Sequence, residues 1–353
     1  MTNPARRPWR PAIVLVLAAS LAMPAGYAAW YWYRPLTFGE ETFMVQPGST
    51  FKGVARRLSE SRVLSEPHTF LLIATLSGRR QSLKTGEYRF QTGMSASAVL
   101  DHLAKGRVME YPFVIVEGWN IRQVLAALQQ APRLEQTLKG LTPAQVMAKL
   151  GYPGQHPEGR FFPDTYRYTG GQTDVAVLQR AYRRMEERLA REWEGRRADV
   201  PLRTPYEALI LASIVEKETG RGEERPMIAG AFINRLRINM KLQTDPTVIY
   251  GLGERFDGNL RKRDLLMDTP YNSYTRKGLP PTPIAMPGGE ALRATLHPAD
   301  TRALYFVSRG DGSHVFSDNL SDHNQAVIKY QLKGRARPFS SYPAPGAAAP
   351  VMP

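Results

Sequence analysis

The chain has 353 residues, of which 42% are hydrophobic and 22% charged, a balance that is typical of globular proteins and excludes wholesale disorder. Lys and Arg number 47 against 32 Asp and Glu, and the resulting formal charge of +15 predicts an anionic partner. There is no cysteine, which excludes disulfide scaffolds, thiolate metal sites and cysteine nucleophiles. The length favours two or three folded units.

An apolar segment near the N-terminus predicts a membrane anchor. Residues 11–33 contain no charged side chain, and about 20 such residues suffice to cross a bilayer. Arg6, Arg7 and Arg10 precede the segment, so the positive-inside rule places residues 1–10 in the cytoplasm. We therefore expect a single-pass protein of the inner membrane whose remaining residues lie outside the cytoplasm.

The end of this segment bears on whether it is retained. The aromatic run at positions 30–33 is typical of the outer membrane interface and favours an uncleaved anchor. A cleaved signal peptide is the alternative, because the small residues around Gly26 and Ala28 are compatible with processing.

Three stretches after the anchor share one spacing. Each has an apolar strand-like run and a glycine, followed by a valine six residues later and a leucine ten residues later. These are Gly48, Gly93 and Gly118, then Val54, Val99 and Val124, then Leu58, Leu103 and Leu128. Because residues four apart lie on one helix face, each copy predicts a strand, a tight turn and a helix that packs on the strand.

We predict an α+β fold with four parts after the anchor. Residues 40–110 form a subdomain whose order of strand, helix, helix and strand resembles a LysM module, with a spacer that binds nothing as the alternative. Residues 111–200 form a helical α+β connector, and residues 201–335 form a mixed helix and strand domain that ends in a hairpin with its turn at Asp311 and Gly312. The Pro- and Ala-rich tail, residues 336–353, is expected to be disordered.

One predicted helix carries a carboxylate on its apolar side. Thr204 is the expected N-cap, with Pro205 in the first turn and Glu207 completing a capping box. At 100° per residue, Glu218 falls among the apolar positions, whereas Glu216 falls on the opposite side and is expected to be solvated. Burial would raise the pKa of Glu218 toward that of a general acid. The alternative is that Glu218 emerges to solvent or pairs with an arginine at the helix end.

The C-terminal half contains a specific set of motifs. They are LASIVEKETG (211–220), FINRLRINMKLQTDPTVIYGLG (232–253), TPYNSYTRKGLPPTPIAMPG (269–288), LHPA (296–299), LYFV (304–307) and DHN (322–324). Together they closely resemble the endolytic murein transglycosylase family, also called YceG-like. The resemblance extends back through EGRFFPDTYRY (158–168) to the anchor and covers nearly the whole chain apart from the tail.

This resemblance implies a lyase that acts on peptidoglycan. It implies cleavage of the β-1,4 bond between N-acetylmuramic acid and N-acetylglucosamine without water, leaving 1,6-anhydro ends. The family's catalytic acid matches Glu218, which would act first as acid and then as base. Ordinary glycosidases need a second carboxylate. Endolytic action, the termination of nascent strands and a catalytic domain in the periplasm also follow from the resemblance alone.

Several further polar residues in these motifs are candidates for substrate binding. They are Thr219, Gln243, Asp245, Asn272 and Tyr274. Asp245 precedes a proline, so a turn role is an equal alternative. Three aromatic residues of the 158–168 motif, Phe161, Phe162 and Tyr166, are expected to pack in the core, and stacking against sugars is the alternative. Asn234, Arg235 and Arg237 either line the site or cover a helix.

Partners and rival functions follow from the same residues. The glycan strands of peptidoglycan and the membrane are the expected partners, peptidoglycan synthases are possible ones, and an extracytoplasmic location argues against nucleic acid. No cofactor is expected, and the six histidines lack paired metal-ligand spacing. Two rivals remain: a non-catalytic wall-binding anchor, and a hydrolytic muramidase that uses Asp245 as its second carboxylate.

Overall fold

The computed structural model describes residues 9–79 and 83–335, except for the side chains of residues 9–12 and 17. Helix α1, Trp9–Tyr33, begins two residues before the predicted position. Within the described residues, its segment Ile13–Tyr33 is the one helix long and apolar enough to cross a membrane. Residues 1–8 of the predicted cytoplasmic terminus and the predicted tail, 336–353, lie outside the described residues.

The first compact unit contains the predicted strand, helix, helix and strand. They are β1 (Glu41–Val45), α2 (Phe51–Glu60), α3 (Pro67–Leu76) and β2 (Gly86–Phe90), and α4 (Ala96–Ala104) follows. Strands β1 and β2 pair antiparallel, with Phe43 opposite Tyr88. Side chains from these elements form one apolar core that includes Phe70 and Phe90, both fully buried.

The structure contains the strand and helix that were predicted around each of the three glycines. In the third copy they are β3 (Glu110–Val114) and α5 (Ile121–Gln129). The three glycines all have positive φ, between 75° and 85°, a region that residues with a Cβ rarely occupy. Each following helix begins with a side-chain N-cap, from Thr50, Ser95 and Asn120 in turn. The three valines and three leucines are buried as predicted.

The aromatic end of α1 differs from a simple membrane belt. Tyr31 and Trp32 are buried in the core of the first unit, whereas Trp30 and Tyr33 are exposed. The Tyr31 hydroxyl accepts a hydrogen bond from the Glu66 N–H at 3.2 Å, and the rings of Trp32 and Phe70 lie 6.2 Å apart. The last turn of α1 is therefore part of the folded unit.

The second compact unit contains the remaining helices and the C-terminal hairpin. Its helices after α5 are α6 (Pro143–Lys149), α7 (Asp174–Glu194), α8 (Pro205–Glu218), α9 (Arg225–Arg237), α10 (Asp245–Leu252), α11 (Lys262–Leu266), α12 (Gly289–Leu296) and α13 (Leu320–Tyr330). The hairpin consists of β5 (Tyr305–Ser308) and β6 (His314–Ser317), and strand β4 (Thr165–Thr169) precedes α7. Strands β3 and β4 form one two-stranded sheet, and β5 and β6 form another. The division into units passes through β3 and β4, and most of residues 113–200 belong to the same unit as 201–335.

Helix α8 lies at the centre of the second unit. Residues 208–215 are all buried, and the helix packs against α7, α9, α10 and α12. Thr204 is the N-cap as predicted, because its side chain accepts from the Glu207 N–H. The predicted capping box differs in one detail: the Glu207 carboxylate accepts from the Arg203 N–H at 2.6 Å rather than from that of Thr204.

Candidate active site

Glu218 is the last residue of α8, and its side chain is half-buried. Its carboxyl group faces a cavity of about 560 Å³, within the usual size range of ligand sites. We call this space the Glu218 cavity. Besides Glu218 it is lined by Arg235, Leu242, Gln243, Thr244, Asp245, Tyr274, Tyr305, Phe306, Val307, Ser308, His314, His323, Val327, Gln331 and Leu332. The site therefore draws on α8, α9, the start of α10, the hairpin and α13.

The protonation of Glu218 is set by its surroundings. Its pKa is raised to about 7: burial is the largest cause, a hydrogen bond from Thr244 lowers the pKa, and the nearby charge of Asp245 raises it. At neutral pH a large fraction of this carboxyl group therefore holds a proton. Such a group can donate a proton to a leaving oxygen and then serve as a base.

Thr244 is the hydrogen-bond partner of Glu218, and the sequence analysis did not select it. Its hydroxyl donates to Glu218 Oε1. The residue is 2% exposed, and its own N–H donates to Ser273 Oγ at 3.0 Å. A fixed donor holds the carboxyl group in one orientation. Its position between Gln243 and Asp245, both candidates, was the only signal in the sequence.

Glu216 is not the solvated glutamate that the helical periodicity predicted. Its side chain is 5% exposed and forms a 3.1 Å ion pair with Arg225. Its other oxygen accepts from the Gly288 N–H at 2.9 Å. Helix α8 is buried on all sides along residues 208–215, and both of its last two carboxylates contact protein but differ in their partners. Glu216 is ion-paired, whereas Glu218 faces a cavity.

Three predicted substrate-binding residues line the Glu218 cavity. Asp245 is the first residue of α10 and is exposed, and the Tyr274 hydroxyl donates to its Oδ1 at 2.6 Å. Burial raises the pKa of Tyr274 above its ordinary value, so this phenol remains a donor. Gln243 is exposed with a φ of 49°, a left-handed conformation that points to local backbone strain at the site.

Two other candidates do not line the cavity. Asn272 is 1% exposed, and its amide nitrogen donates to the carbonyl oxygens of Leu265 and Met267 at 3.0 and 2.7 Å. Its side-chain oxygen accepts from the Tyr274 N–H at 2.8 Å. Thr219 caps α8, and its hydroxyl accepts from the Arg221 N–H at 2.9 Å. Both side chains shape the loops around the site.

Of the three candidates on α9, namely Asn234, Arg235 and Arg237, only Arg235 lines the cavity. It is 6% exposed, and its guanidinium donates to the carbonyl oxygens of Leu304 and Leu242, each at 2.6 Å. Asn234 donates to Thr301 O at 2.8 Å, and Arg237 pairs with Asp199 at the surface. Arg235 therefore ties the hairpin to the loop before α10 and adds a positive charge to the cavity wall.

Two remaining sequence expectations concern the core and metals. Phe161 and Tyr166 are buried, and Phe162 packs against the apolar core, so the core interpretation is confirmed. Among residues 9–79 and 83–335, no group of three His, Asp or Glu side chains is arranged to hold a metal ion.

Burial of Glu218 predicts a pH-dependent contribution to stability. Its pKa rises from 4.5 to about 7 on folding, so the native state binds the proton more tightly. The contribution of Glu218 to the free energy of unfolding therefore falls as the pH rises from 4.5 to 7, and it is lowest above pH 7. Glu218→Gln is expected to raise the unfolding free energy by about 2 kcal/mol at pH 8 and by little at pH 4.5.

The measurement compares thermal unfolding of the variant with that of the wild type at the two pH values. The comparison isolates Glu218, because the buried Glu158 also has a pKa raised by burial to about 7 and contributes equally to both proteins. Equal stability of the two proteins at pH 8 would show that Glu218 is not desolvated.

Comparisons with known proteins agree with this fold. The chain is 29% identical over 310 residues to the endolytic murein transglycosylase of Bacillus subtilis, covering 81% of this chain and 83% of the relative. It is 26% identical over 325 residues to the enzyme of that name from Streptococcus pneumoniae, covering 82% of this chain but 58% of that longer protein. A crystal structure of a YceG-like protein from Listeria monocytogenes has a TM-score of 0.53 and 28% identity, covering 81% of this chain and 99% of that one.

The family model of the YceG-like family matches residues 43–329. This match spans well over half of the chain, from β1 almost to the end of α13, and it includes every residue that lines the Glu218 cavity except Gln331 and Leu332. The resemblance seen in the C-terminal motifs is thereby confirmed, and the chain belongs to the YceG-like family.

Proposed function

We propose that the protein is a membrane-anchored lytic transglycosylase that cleaves peptidoglycan between N-acetylmuramic acid and N-acetylglucosamine. The relatives from Bacillus and Streptococcus carry the name endolytic murein transglycosylase, and the family match supports carrying that activity to this chain. The observation that carries the proposal is the half-buried carboxyl group of Glu218, whose pKa burial raises to about 7 beside an open cavity.

Glu218 would perform both proton transfers. In its protonated form it donates to the glycosidic oxygen, and the bond from that oxygen to the muramyl C1 breaks. The resulting carboxylate then takes the proton of the muramyl C6 hydroxyl while that oxygen closes onto C1 as a 1,6-anhydro ring. The second reactant belongs to the same sugar and is already close to C1, so no activated water is needed. The proton returns to Glu218, and the enzyme is ready for another cycle.

The remaining charges of the cavity fit this cycle. Thr244 donates to Glu218 in both protonation states and keeps the carboxyl group aimed at the bond. Positive charge on His314, when its ring is protonated, and on Arg235 lowers the pKa of Glu218 and favours its carboxylate stage, opposing the effects of burial and of Asp245. These opposing contributions leave a group that can exist in either state at neutral pH, as an acid that becomes a base requires.

The anchor would hold this chemistry close to the membrane. Helix α1 fits a single span, and the arginines before it favour a cytoplasmic N-terminus with the second unit outside the cytoplasm. That placement would give access to newly made glycan strands and to the synthases that make them. Endolytic cleavage that ends strand elongation is the role we propose.

The chemical nature of the product tests this proposal. Digestion of purified sacculi with the full-length protein should give strands that end in 1,6-anhydro-muramic acid, 18 mass units lighter than a reducing end, since no water is added. Mass spectrometry of the soluble products measures this directly.

The same measurement separates the two rivals. Reducing muramic acid ends would indicate a hydrolytic muramidase with Asp245 as the second carboxylate, and that result would overturn the transglycosylase assignment. Binding of sacculi without soluble products would indicate a non-catalytic anchor. The hydrolytic rival is a real test, because Asp245 and Glu218 line the same cavity.

A further inference from the structure

A second acid and base pair lies beside the Glu218 cavity. Glu224 ends the short 3₁₀ turn Gly222–Glu224 that follows α8, and His314 begins strand β6 and lines the cavity. The two oxygens of Glu224 accept from His314 at two points, the main-chain N–H at 2.9 Å and the ring Nδ1 at 2.6 Å. Their side chains are 15% and 12% exposed. The pair is therefore largely shielded and held by two hydrogen bonds.

Aromatic neighbours fix the imidazole ring further. The ring of Phe306 meets it edge to face at 5.7 Å, and that of Phe316 lies 6.4 Å away. With Nδ1 turned toward Glu224, the other nitrogen, Nε2, is the one available to the cavity. Nε2 has no hydrogen-bond partner among the described residues, and it is not sealed from solvent. The arrangement thus presents one ring nitrogen to whatever occupies the cavity.

The charge on Glu224 decides which tautomer the neutral ring adopts. Burial raises the pKa of Glu224, but the hydrogen bonds from the His314 ring and main chain outweigh it, and the pKa lies below its ordinary value. An ionised carboxylate can only accept, so Nδ1 must carry the proton. In a neutral imidazole Nε2 then has a free lone pair and is an acceptor.

We propose that Glu224 is a positioning residue that holds His314 with its Nε2 lone pair in the Glu218 cavity, where it accepts a hydrogen bond from a hydroxyl group of the bound glycan. This inference rests on the proposed function, since it takes a glycan as the ligand. The hydroxyl is one other than the reactive C6 hydroxyl, whose single proton goes to Glu218. Glycans offer many hydroxyl donors, and Nε2 adds an acceptor from the hairpin to a cavity that Glu218 and Asp245 also line.

Glu224→Gln distinguishes this role from a purely structural one. Glutamine has the same size and can still accept from the His314 N–H, so the fold should persist. Its amide nitrogen, however, donates toward Nδ1 and selects the opposite tautomer, which turns Nε2 from an acceptor into a donor. The orientation of the ring is kept while the chemistry that it presents is reversed.

Two readouts test the inference on the full-length chain in detergent. Nitrogen NMR of histidine-labelled protein should show His314 protonated at Nδ1 in the wild type and at Nε2 in Glu224→Gln, with the signal assigned by its loss in His314→Gln. In a Glu218→Gln background that does not cleave, purified glycan strands should bind about tenfold more weakly when Glu224→Gln is added. Glu223→Gln is the matched control and should change neither, because the Glu223 side chain is exposed and lies 3.9 Å from the Arg221 guanidinium.

The outcomes separate this inference from the proposed reaction. A wild-type His314 protonated at Nε2 would overturn it, as would unchanged glycan binding after the tautomer has switched. If Glu224→Gln unfolds, the His314→Gln chain supplies the binding comparison, and binding equal to that of its parent would also overturn it. Glycan binding that depends on Glu224 in a protein that yields no anhydro ends would contradict the proposed reaction and leave this inference standing.

Discussion

Glutamine in place of Glu218 is expected to slow glycan cleavage roughly a thousandfold or more, because one carboxyl group serves as both acid and base. Glutamine matches glutamate in size and can still accept the hydrogen bond that Thr244 donates, so the cavity should keep its shape. It cannot release a proton to the glycosidic oxygen. The rate is measured as the appearance of soluble muropeptide ends from purified sacculi, with binding to sacculi measured in parallel.

Two variants control this experiment. Glu223→Gln removes an exposed carboxylate five residues away and should leave the rate unchanged. Asp245→Asn removes the other carboxylate that lines the cavity, and anhydro ends should still form, since the proposed reaction has one catalytic carboxyl group. Wild-type rates in Glu218→Gln would exclude Glu218 as the acid. Equal loss in Glu218→Gln and Asp245→Asn, with reducing ends from the wild type, would favour hydrolysis.

The strand, turn and helix repeat could be predicted because local physics determines it. Gly48, Gly93 and Gly118 occupy backbone conformations that only glycine adopts easily, and polar caps follow each one at the start of a helix. Burial of a Val and a Leu four residues apart then follows from helical geometry. The turn and the helix cap in each copy depend only on neighbouring residues, whereas the strands pair with partners far away in the sequence.

The helical periodicity of α8 predicts the direction of only one of its two C-terminal carboxylates. It selected Glu218 correctly as a residue directed into the protein, yet it assigned Glu216 to solvent. An apolar stripe indicates one buried face, whereas α8 is enclosed by four other helices and has no solvent side along its middle. The difference between the two carboxylates lies in their partners. Arg225 is nine residues away, and Gly288 is 72 residues away.

The rest of the site could not be found from one segment. Thr244, Arg235, Tyr305 and His314 come from separate elements, and only the fold brings them to one cavity. Sequence reasoning also treated polar residues of a motif as candidates for substrate contact. Asn272 shows the limit of that reasoning, because a polar side chain in a Gly- and Pro-rich loop is often needed by the loop's own backbone.

The buried pair of Glu216 and Arg225 has a strong bearing on stability. Arg225 is 13% exposed and donates to Glu216 at 3.1 Å, and it also lies 3.9 Å from the half-exposed Glu117. Burial and the charge of Glu216 raise the pKa of Glu117, while Arg225 lowers it. One arginine therefore compensates two carboxylates at the end of the helix that carries Glu218.

Arg225→Met is expected to lower the unfolding free energy by about 3–5 kcal/mol, because it leaves Glu216 buried with no opposite charge. Adding Glu216→Gln should recover part of the loss, since the neutral amide can still accept from the Gly288 N–H. The loss should also shrink as the pH falls from 8 to 5, because the pKa of Glu117 is raised by burial and loses the lowering effect of Arg225, so the folded state binds this proton more tightly than the unfolded chain does. Denaturant unfolding of the wild type, both single variants and the double variant measures these differences. A single Arg225→Met variant within about 0.5 kcal/mol of the wild type would show that Glu216 reaches water, contrary to its burial in the structure.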